Sequence, residues 1–467
     1  MKKTHAYLLI LSILLLFYLT PTPEGLSPEG WKLCGLFISA IAGLILKPFP
    51  IPVVFLAVIA LSGLTLGNID NVLRGYASTT TWTVFSALAL SNAILTTGLG
   101  KRIAYVLIKF FGRTTLGLGY VLALLDLIIA PCTPSVVARS GSIVFTVANS
   151  ISESLDSRPK ESPRKIGAYL MMNAYLNTKS TAYIFLTAST PNLLILPFIN
   201  DILKVEITWM NWFLAGVVPG GITLLLTPLI IYLVYPPELK TLDNGKISQQ
   251  GLAALGEYSL KEKKLSVIFF VALLGWIVGS FYDLDASVVA ILAFVIVLLT
   301  GVLSWDDILK SKGAWNVLIW FGGVLGLSSA MSKEGVFTWL GSFISQHIEL
   351  SVNAYASVAV IVFISIIIRY FIVSGSAYVV AMMPVFFTIG LLANIPPALL
   401  GISLAFSAVY GSGLTHYGSA PGPIIFSAEY VSLKAWWSVG AVIVLMIYLI
   451  HITLGIWWWK TLGWFSL

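Results

Sequence analysis

Apolar stretches of membrane-spanning length recur along the whole chain, separated by short polar joints. Counted against a need for roughly 20 residues per span, they predict membrane helices near 6–20, 31–47, 51–67, 82–100, 166–199, 212–235, 265–282, 286–303, 314–332, 395–427 and 434–459. Two of these are interrupted by small polar residues and a proline. The first break, inside 166–199, is Thr187-Ala188-Ser189-Thr190-Pro191-Asn192. The second, inside 395–427, is Thr415-His416-Tyr417-Gly418-Ser419-Ala420-Pro421-Gly422. Two further apolar regions, 115–151 and 353–393, fit poorly as single spans and carry Thr133-Pro134-Ser135 and Ser374-Gly375-Ser376 at their middles. Each predicts a re-entrant hairpin that enters and leaves on one side. Backbone groups freed at such breaks find no partner in hydrocarbon, so each break must be buried in protein or line a polar cavity.

The breaks come in pairs. Pro191 and Pro421 lie 230 positions apart, and Ser135 and Ser374 lie 239 apart. Upstream, Trp82 followed by Gly98-Leu99-Gly100 is echoed by Trp315 followed by Glu334-Gly335-Val336. The shared order of four landmarks predicts an all-α polytopic membrane protein built as an inverted repeat of five helices each. It has about eleven transmembrane helices, two re-entrant hairpins and two broken helices. The divisions are an extra N-terminal helix in 1–30, a first repeat 31–235, a cytoplasmic linker 236–264 and a second repeat 265–467. An odd number of spans per repeat inverts the second copy, and inverted repeats with paired discontinuous helices mark secondary transporters.

Composition agrees. The chain is 58% hydrophobic and only 10% charged, where a soluble domain carries about 25% charge. The first apolar run follows Lys2 and Lys3 but lacks a small-residue cleavage pattern, so it reads as a retained helix. Cys34 and Cys132 both lie in apolar sequence and imply neither a disulfide framework nor a metal site. The net charge of +7 is largely an orientation signal. A cytoplasmic N-terminus places nineteen of the 27 Lys and Arg inside, five outside and three within the membrane, as the positive-inside rule requires. No nucleic-acid partner is needed to explain it. Trp457-Trp458-Trp459-Lys460 reads as an interfacial anchor. Phosphate-loop, zinc and ATP-binding motifs are absent.

The candidate chemistry sits at the breaks. Thr190, Pro191 and Asn192 on one broken helix, and Ser419 and Pro421 on the other, would meet the hairpin tips near the midplane. Hydroxyls, amides and the positive ends of half-helices there can bind carboxylates. The intramembrane charges lean basic: Arg139, Lys179, Arg369 and His416 against one deep acid, Asp126. An ion in the bilayer costs at least ~2.5–3.5 kcal/mol, which makes each a functional candidate. Blander roles stay open: Arg369 snorkelling or capping a helix, Asp126 pairing with Arg139, Lys179 in a structural ion pair, His416 as a neutral core residue.

Three segments, APCTPSVVARSG (Ala130 to Gly141), FLTASTPNLL (Phe185 to Leu194) and YGSAPGPIIFSAEYV (Tyr417 to Val431), resemble the divalent anion:sodium symporter family. The likeness runs over nearly the whole chain and is nearest to bacterial citrate/succinate exchangers and 2-oxoglutarate/malate translocators. It implies a homodimer in the lipid bilayer, elevator-like motion of a transport body against a scaffold, and hairpin tips that contact substrate carboxylates. Ser135 and Ser374 carry over from the family's Ser-Asn-Thr tips, with Gly375 beside Ser374 and Ser376 as the replacing hydroxyl; both asparagines are missing. Thr187, Ser189, Thr415 and Gly418 fall on loops that hold sodium in the family. With Arg139, Lys179 and His416 supplying permanent positive charge, sodium becomes optional. The expectation is therefore obligatory exchange of dicarboxylates such as 2-oxoglutarate, malate, succinate and fumarate. A sodium-coupled symporter is the alternative; a channel and a membrane-embedded enzyme are remote, since no orienting carboxylate accompanies His416 and Ser419. No cofactor is expected. The implied location is a bacterial inner membrane, or alternatively a plastid inner envelope.

Overall fold

The computed structural model describes residues 3–66, 69–282, 284–347 and 353–463; Lys2, assigned above to the inner face, lies outside them. The expected halves repeat one order of elements. Helices Pro28–Leu46 and Ile51–Leu66 are followed by Thr79–Thr97 and Leu99–Phe111; Leu260–Gly279 and Ala286–Leu299 are followed by Lys312–Lys333 and Val336–His347. The joints at Gly98 (φ 80°) and Gly335 (φ 71°) are both left-handed, a conformation open to glycine at little cost. At Gly98 the two helices bend by 63°.

Hairpins and broken helices follow in both halves. The first hairpin enters on Thr115–Ile129, turns through Thr133-Pro134-Ser135, and leaves on a π-helical stretch, Val137–Val144, and Phe145–Ser154. The second enters on Ala354–Arg369 and leaves on Gly375–Leu392. The first broken helix is resolved into Gly167–Leu176, Thr178–Ile184 and Thr190–Phe198; the second into Pro397–Tyr410 and Pro421–Phe426. Among the described residues, seven helices are long and apolar enough to cross a bilayer, or eight if the bent pair at Gly98 is one span. The difference from eleven lies in short helices, in the division of 166–199 into pieces, and in Leu260–Gly279, whose first turns carry Lys261, Glu262, Lys263 and Lys264. Thr4–Leu19, Ile51–Leu64 and Ala286–Leu299 are apolar but under 18 residues, whereas one arm of each hairpin passes the length test.

Two bodies emerge from the packing. Ile51–Leu66, Thr79–Thr97, Ala286–Leu299 and Lys312–Lys333 pack together as a scaffold, while the hairpins pack on the broken helices. In the scaffold, glycines let backbones touch. A Cβ on Gly75 would lie 2.0 Å from the Gly322 carbonyl oxygen, and one on Gly326 would lie 1.6 Å from that of Val72. Gly322 and Gly326 form the small-xxx-small spacing that suits close helix approach in lipid.

The linker 236–264 is more ordered than its polar sequence suggests. It contains helix Asn244–Leu255, capped by the Asp243 side chain. Gly251 lies flat on the Tyr105 ring, and the Ser248 hydroxyl donates to the Tyr105 carbonyl at 2.8 Å. Arg102 then pairs with Glu262 at 2.7 Å, and Glu262 also closes a capping box with Ser259. The strap is thus fixed to helix Leu99–Phe111 by contacts distant in sequence. The tryptophan cluster also differs from a simple anchor. Trp458 and Trp459 donate to the carbonyls of Leu214 and Ala215, leaving Trp457 as the exposed ring.

Gly326→Ala forces a side chain into the Val72 backbone. Overpacking of this kind costs about 1–3 kcal/mol, and the apparent Tm in detergent should fall by roughly 1–3 °C. Gly313→Ala, where nothing lies within 4 Å of the added carbon, should leave Tm unchanged.

Candidate functional site

The four interruptions converge in a crossed arrangement. The first hairpin tip meets the first broken helix, where the Thr190 N–H donates to the Pro134 carbonyl at 3.2 Å. Its outgoing arm meets the second broken helix, where a Cβ on Gly141 would lie 3.4 Å from Pro421. The second hairpin mirrors this. Its tip joins the second broken helix through Arg369, and a Cβ on Gly375 would lie 3.1 Å from the Pro191 ring. Each hairpin thus touches both breaks.

The two hairpin serines play one role. Ser135 Oγ accepts from the Ala138 N–H and Ser374 Oγ from the Ala377 N–H, both at 3.2 Å. Each caps an outgoing helix, whose first amides and dipole then face the tip. Ser135, Thr190, Pro191, Ser374, Gly375, Ser376 and Ser419 are all part-exposed, while Pro134, Ser189, Asn192, Gly418 and Pro421 beside them are buried. The breaks therefore present a polar, partly open surface on a closed interior.

The first break is filled by protein donors. The Asn192 amide donates to the carbonyls of Ala182 at 2.7 Å and Phe185 at 3.1 Å, satisfying the end of the preceding half-helix. The Thr187 hydroxyl donates to the Pro131 carbonyl and accepts from the Trp209 indole. Asn192 and Thr187 thus act first as internal partners for the freed backbone.

The charged residues separate into two groups. Arg139, expected to face substrate, is fully buried in the first hairpin. Its Nε lies 3.2 Å from Asp126 Oδ1, and its Nη1 donates to the carbonyls of Ala130 and Thr133. Asp126 Oδ2 accepts from the Thr181 hydroxyl. Arg139 is therefore a staple across the turn, its charge balanced within the hairpin.

Lys179 behaves differently. At 2% exposure, its Nζ donates to Ser419 Oγ at 2.8 Å and Ser412 Oγ at 3.1 Å, and lies 4.1 Å from the centre of the Tyr175 ring. Tyr175, one turn earlier, donates its hydroxyl to the carbonyls of Ser412 and Thr415. Arg369, at 1% exposure, does not snorkel. It donates to the carbonyl of Ile372 at its own hairpin tip and to that of Gly418 in the second break. Two basic side chains thus converge on residues 412–419, and neither forms an ion pair among the described residues. The carbonyls of Ser412, Thr415 and Gly418 and the hydroxyls of Ser412 and Ser419 each accept from a protein donor there.

His416 stands apart from this pair. Its Nδ1 accepts from the Trp437 indole at 3.3 Å, and its ring packs on Phe426 and Tyr417. A ring accepting at Nδ1 is the neutral form, so His416 is an aromatic-box member in this arrangement and adds no charge. Tyr175, Ser412 and the Thr181–Asp126 link escaped the sequence reading. The spacing of Tyr175 and Lys179, four apart on one helix face, was the available signal.

A polytopic helical protein with paired breaks at its centre, and with no group of three or more metal-ligating side chains among the described residues, has the architecture of a secondary transporter. The family model for the sodium:sulfate symporter transmembrane region matches residues 1–465. The chain belongs to this family, that of the divalent anion:sodium symporters. It is 49% identical to the inner membrane protein YbhI of Escherichia coli, over 99% of both chains. It is 37% identical to the putative malate transporter YflS of Bacillus subtilis, over 99% of this chain and 97% of that one. It is 31% identical to the L-tartrate/succinate antiporter of Shigella sonnei, over 97% of both. The crystal structure of the Alcanivorax borkumensis YdaH transporter shares the fold, with a TM-score of 0.58 at 12% identity over 99% of both chains. The protein is a multi-pass membrane transporter and not an enzyme.

Asp126→Asn strips Arg139 of its counter-charge. Breaking one side of a buried pair costs about 3–5 kcal/mol, so folded yield and Tm in detergent should drop sharply. The double change Asp126→Leu with Arg139→Met should recover much of that loss; a loss equal to the sum of the single variants would show no coupling.

Proposed function

We propose that the protein exchanges C4 and C5 dicarboxylates, with malate and 2-oxoglutarate as leading substrates, across a bacterial inner membrane. The observation that carries this reading is the convergence of Lys179 and Arg369 on the second break without a carboxylate partner. Arg139 is balanced by Asp126, so the uncompensated charge at the site is two cations, which one dianion neutralises. A buried unpaired ion is costly in hydrocarbon, and the carrier lacking anion is accordingly disfavoured in crossing. Return then requires a second dicarboxylate, and exchange is obligatory. The names of the relatives, a malate transporter and a tartrate/succinate antiporter, support the substrate class.

Hairpins and broken helices form the moving body, and the glycine-packed helices form the scaffold against which it travels, as an elevator. The N-terminus is cytoplasmic and the unit is a homodimer. Sodium is not required, because Lys179 and the Tyr175 hydroxyl fill the second break with permanent donors.

Uptake of labelled 2-oxoglutarate into proteoliposomes tests this. Internal malate should be required, and external sodium should not raise the rate. Equal sodium-driven uptake into empty vesicles would establish symport instead. Lys179→Gln and Arg369→Gln should each slow exchange by about tenfold or more, equivalent to at least ~1.4 kcal/mol, while both remain folded in size-exclusion chromatography.

A further inference from the structure

A cavity of about 320 Å³ opens where the first hairpin meets the scaffold. Ser135 and Ser142 line one wall and Asn92 another, and Lys310-Ser311-Lys312 closes the third. This size lies at the small end of the ~300–1,000 Å³ range of ligand pockets. Ser135 is also the tip residue that caps the outgoing hairpin helix, so the cavity borders the first hairpin tip.

Its wall is one-signed. Lys310 and Lys312 are exposed, and neither forms an ion pair among the described residues. Asp307, on the short helix Trp305–Leu309 that precedes the lysines, accepts both the N–H and the hydroxyl of Ser304, at 2.9 and 2.8 Å, and also interacts electrostatically with Lys310 without lining the cavity. Asp306 is exposed and does not line the cavity. The loop is held against the scaffold by the Asn92 amide, which donates to Ser311 Oγ at 2.7 Å. The lysines are therefore presented from the scaffold side of the seam, and Ser135 from the hairpin side.

We infer that Lys310 and Lys312 form a dicarboxylate-capture vestibule on the face they share, the cytoplasmic face by the positive-inside count. The inference rests on the dicarboxylate reading above and adds a second, peripheral contact for the same substrate. A carboxylate held by the lysines lies in the cavity that Ser135 lines. Clefts lined by one sign of charge concentrate counter-ions and raise association rates, with strong dependence on ionic strength. Because the lysines belong to the scaffold, they act on loading from one face and are left behind when the hairpin body moves.

Sided kinetics test this. Exchange of labelled malate is measured in right-side-out and inside-out vesicles from the same cells, at low and high salt, for the parent and for Lys310→Gln with Lys312→Gln. The ratio of inner-face KM to outer-face KM should rise about threefold or more in the double variant at low salt. The increase of inner-face KM with salt seen in the parent should flatten. Lys310→Arg with Lys312→Arg should restore the parent ratio. An unchanged ratio in a double variant that still exchanges malate overturns the vestibule and leaves the transport reading standing. A parent that does not exchange malate at all overturns both.

Discussion

Backbone groups inside a bilayer must be satisfied by protein, and this constraint shapes the whole molecule. Two helices stop and restart within the hydrophobic core, and each interruption frees N–H and C=O groups whose exposure to hydrocarbon would cost several kcal/mol apiece. The chain meets that cost with side chains drawn from elsewhere. Asn192 closes the carbonyls of the first break. Tyr175 and Arg369 close those of the second, and Lys179 ties its two serines together. The hairpins then seal the breaks against lipid. Polarity at the membrane centre is thereby made compatible with folding, and a transport site becomes available without a water-filled hole through the protein.

The two breaks are alike in placement but not in chemistry. The first is closed largely by neutral donors, with its nearby ion pair, Asp126 and Arg139, balanced inside the hairpin. The second gathers Lys179 and Arg369, neither of which forms an ion pair among the described residues. This asymmetry distinguishes the charge-bearing half from the half that mainly provides geometry. Both basic side chains are held by carbonyls, hydroxyls and aromatic faces, while the Nε of Arg369 is buried without a hydrogen-bond partner.

Much of the architecture was readable from local sequence. Proline and small polar residues at 187–192 and 415–422 marked both breaks, because each depends on backbone conformation set by a few neighbours. Gly98 and Gly335 were legible only as repeat landmarks: the expected span 82–100 runs through Gly98, where the structure divides two helices. The pairing of Asp126 with Arg139 was open in the sequence and is decided by the hairpin folding back. The partners of Lys179 were not readable, because it meets Ser412 and Ser419 across more than two hundred residues. His416 lay inside a break and looked cationic, yet its hydrogen bond to Trp437, set by the fold, makes it a neutral ring. The linker concealed its helix for a related reason: Asn244–Leu255 is held by Tyr105 and the carbonyls of Ile108 and Lys109, contacts that polar composition does not announce.

The central claim is that a site with two unpaired cations crosses the membrane when an anion fills it and stays in place when empty. Efflux of labelled malate from loaded proteoliposomes into dicarboxylate-free buffer addresses it directly, with sodium present or absent and a potassium diffusion potential imposed in either direction. The account predicts that label is retained under all of these conditions and released when unlabelled malate is added outside. Sustained release driven by sodium or by the potential alone would contradict it.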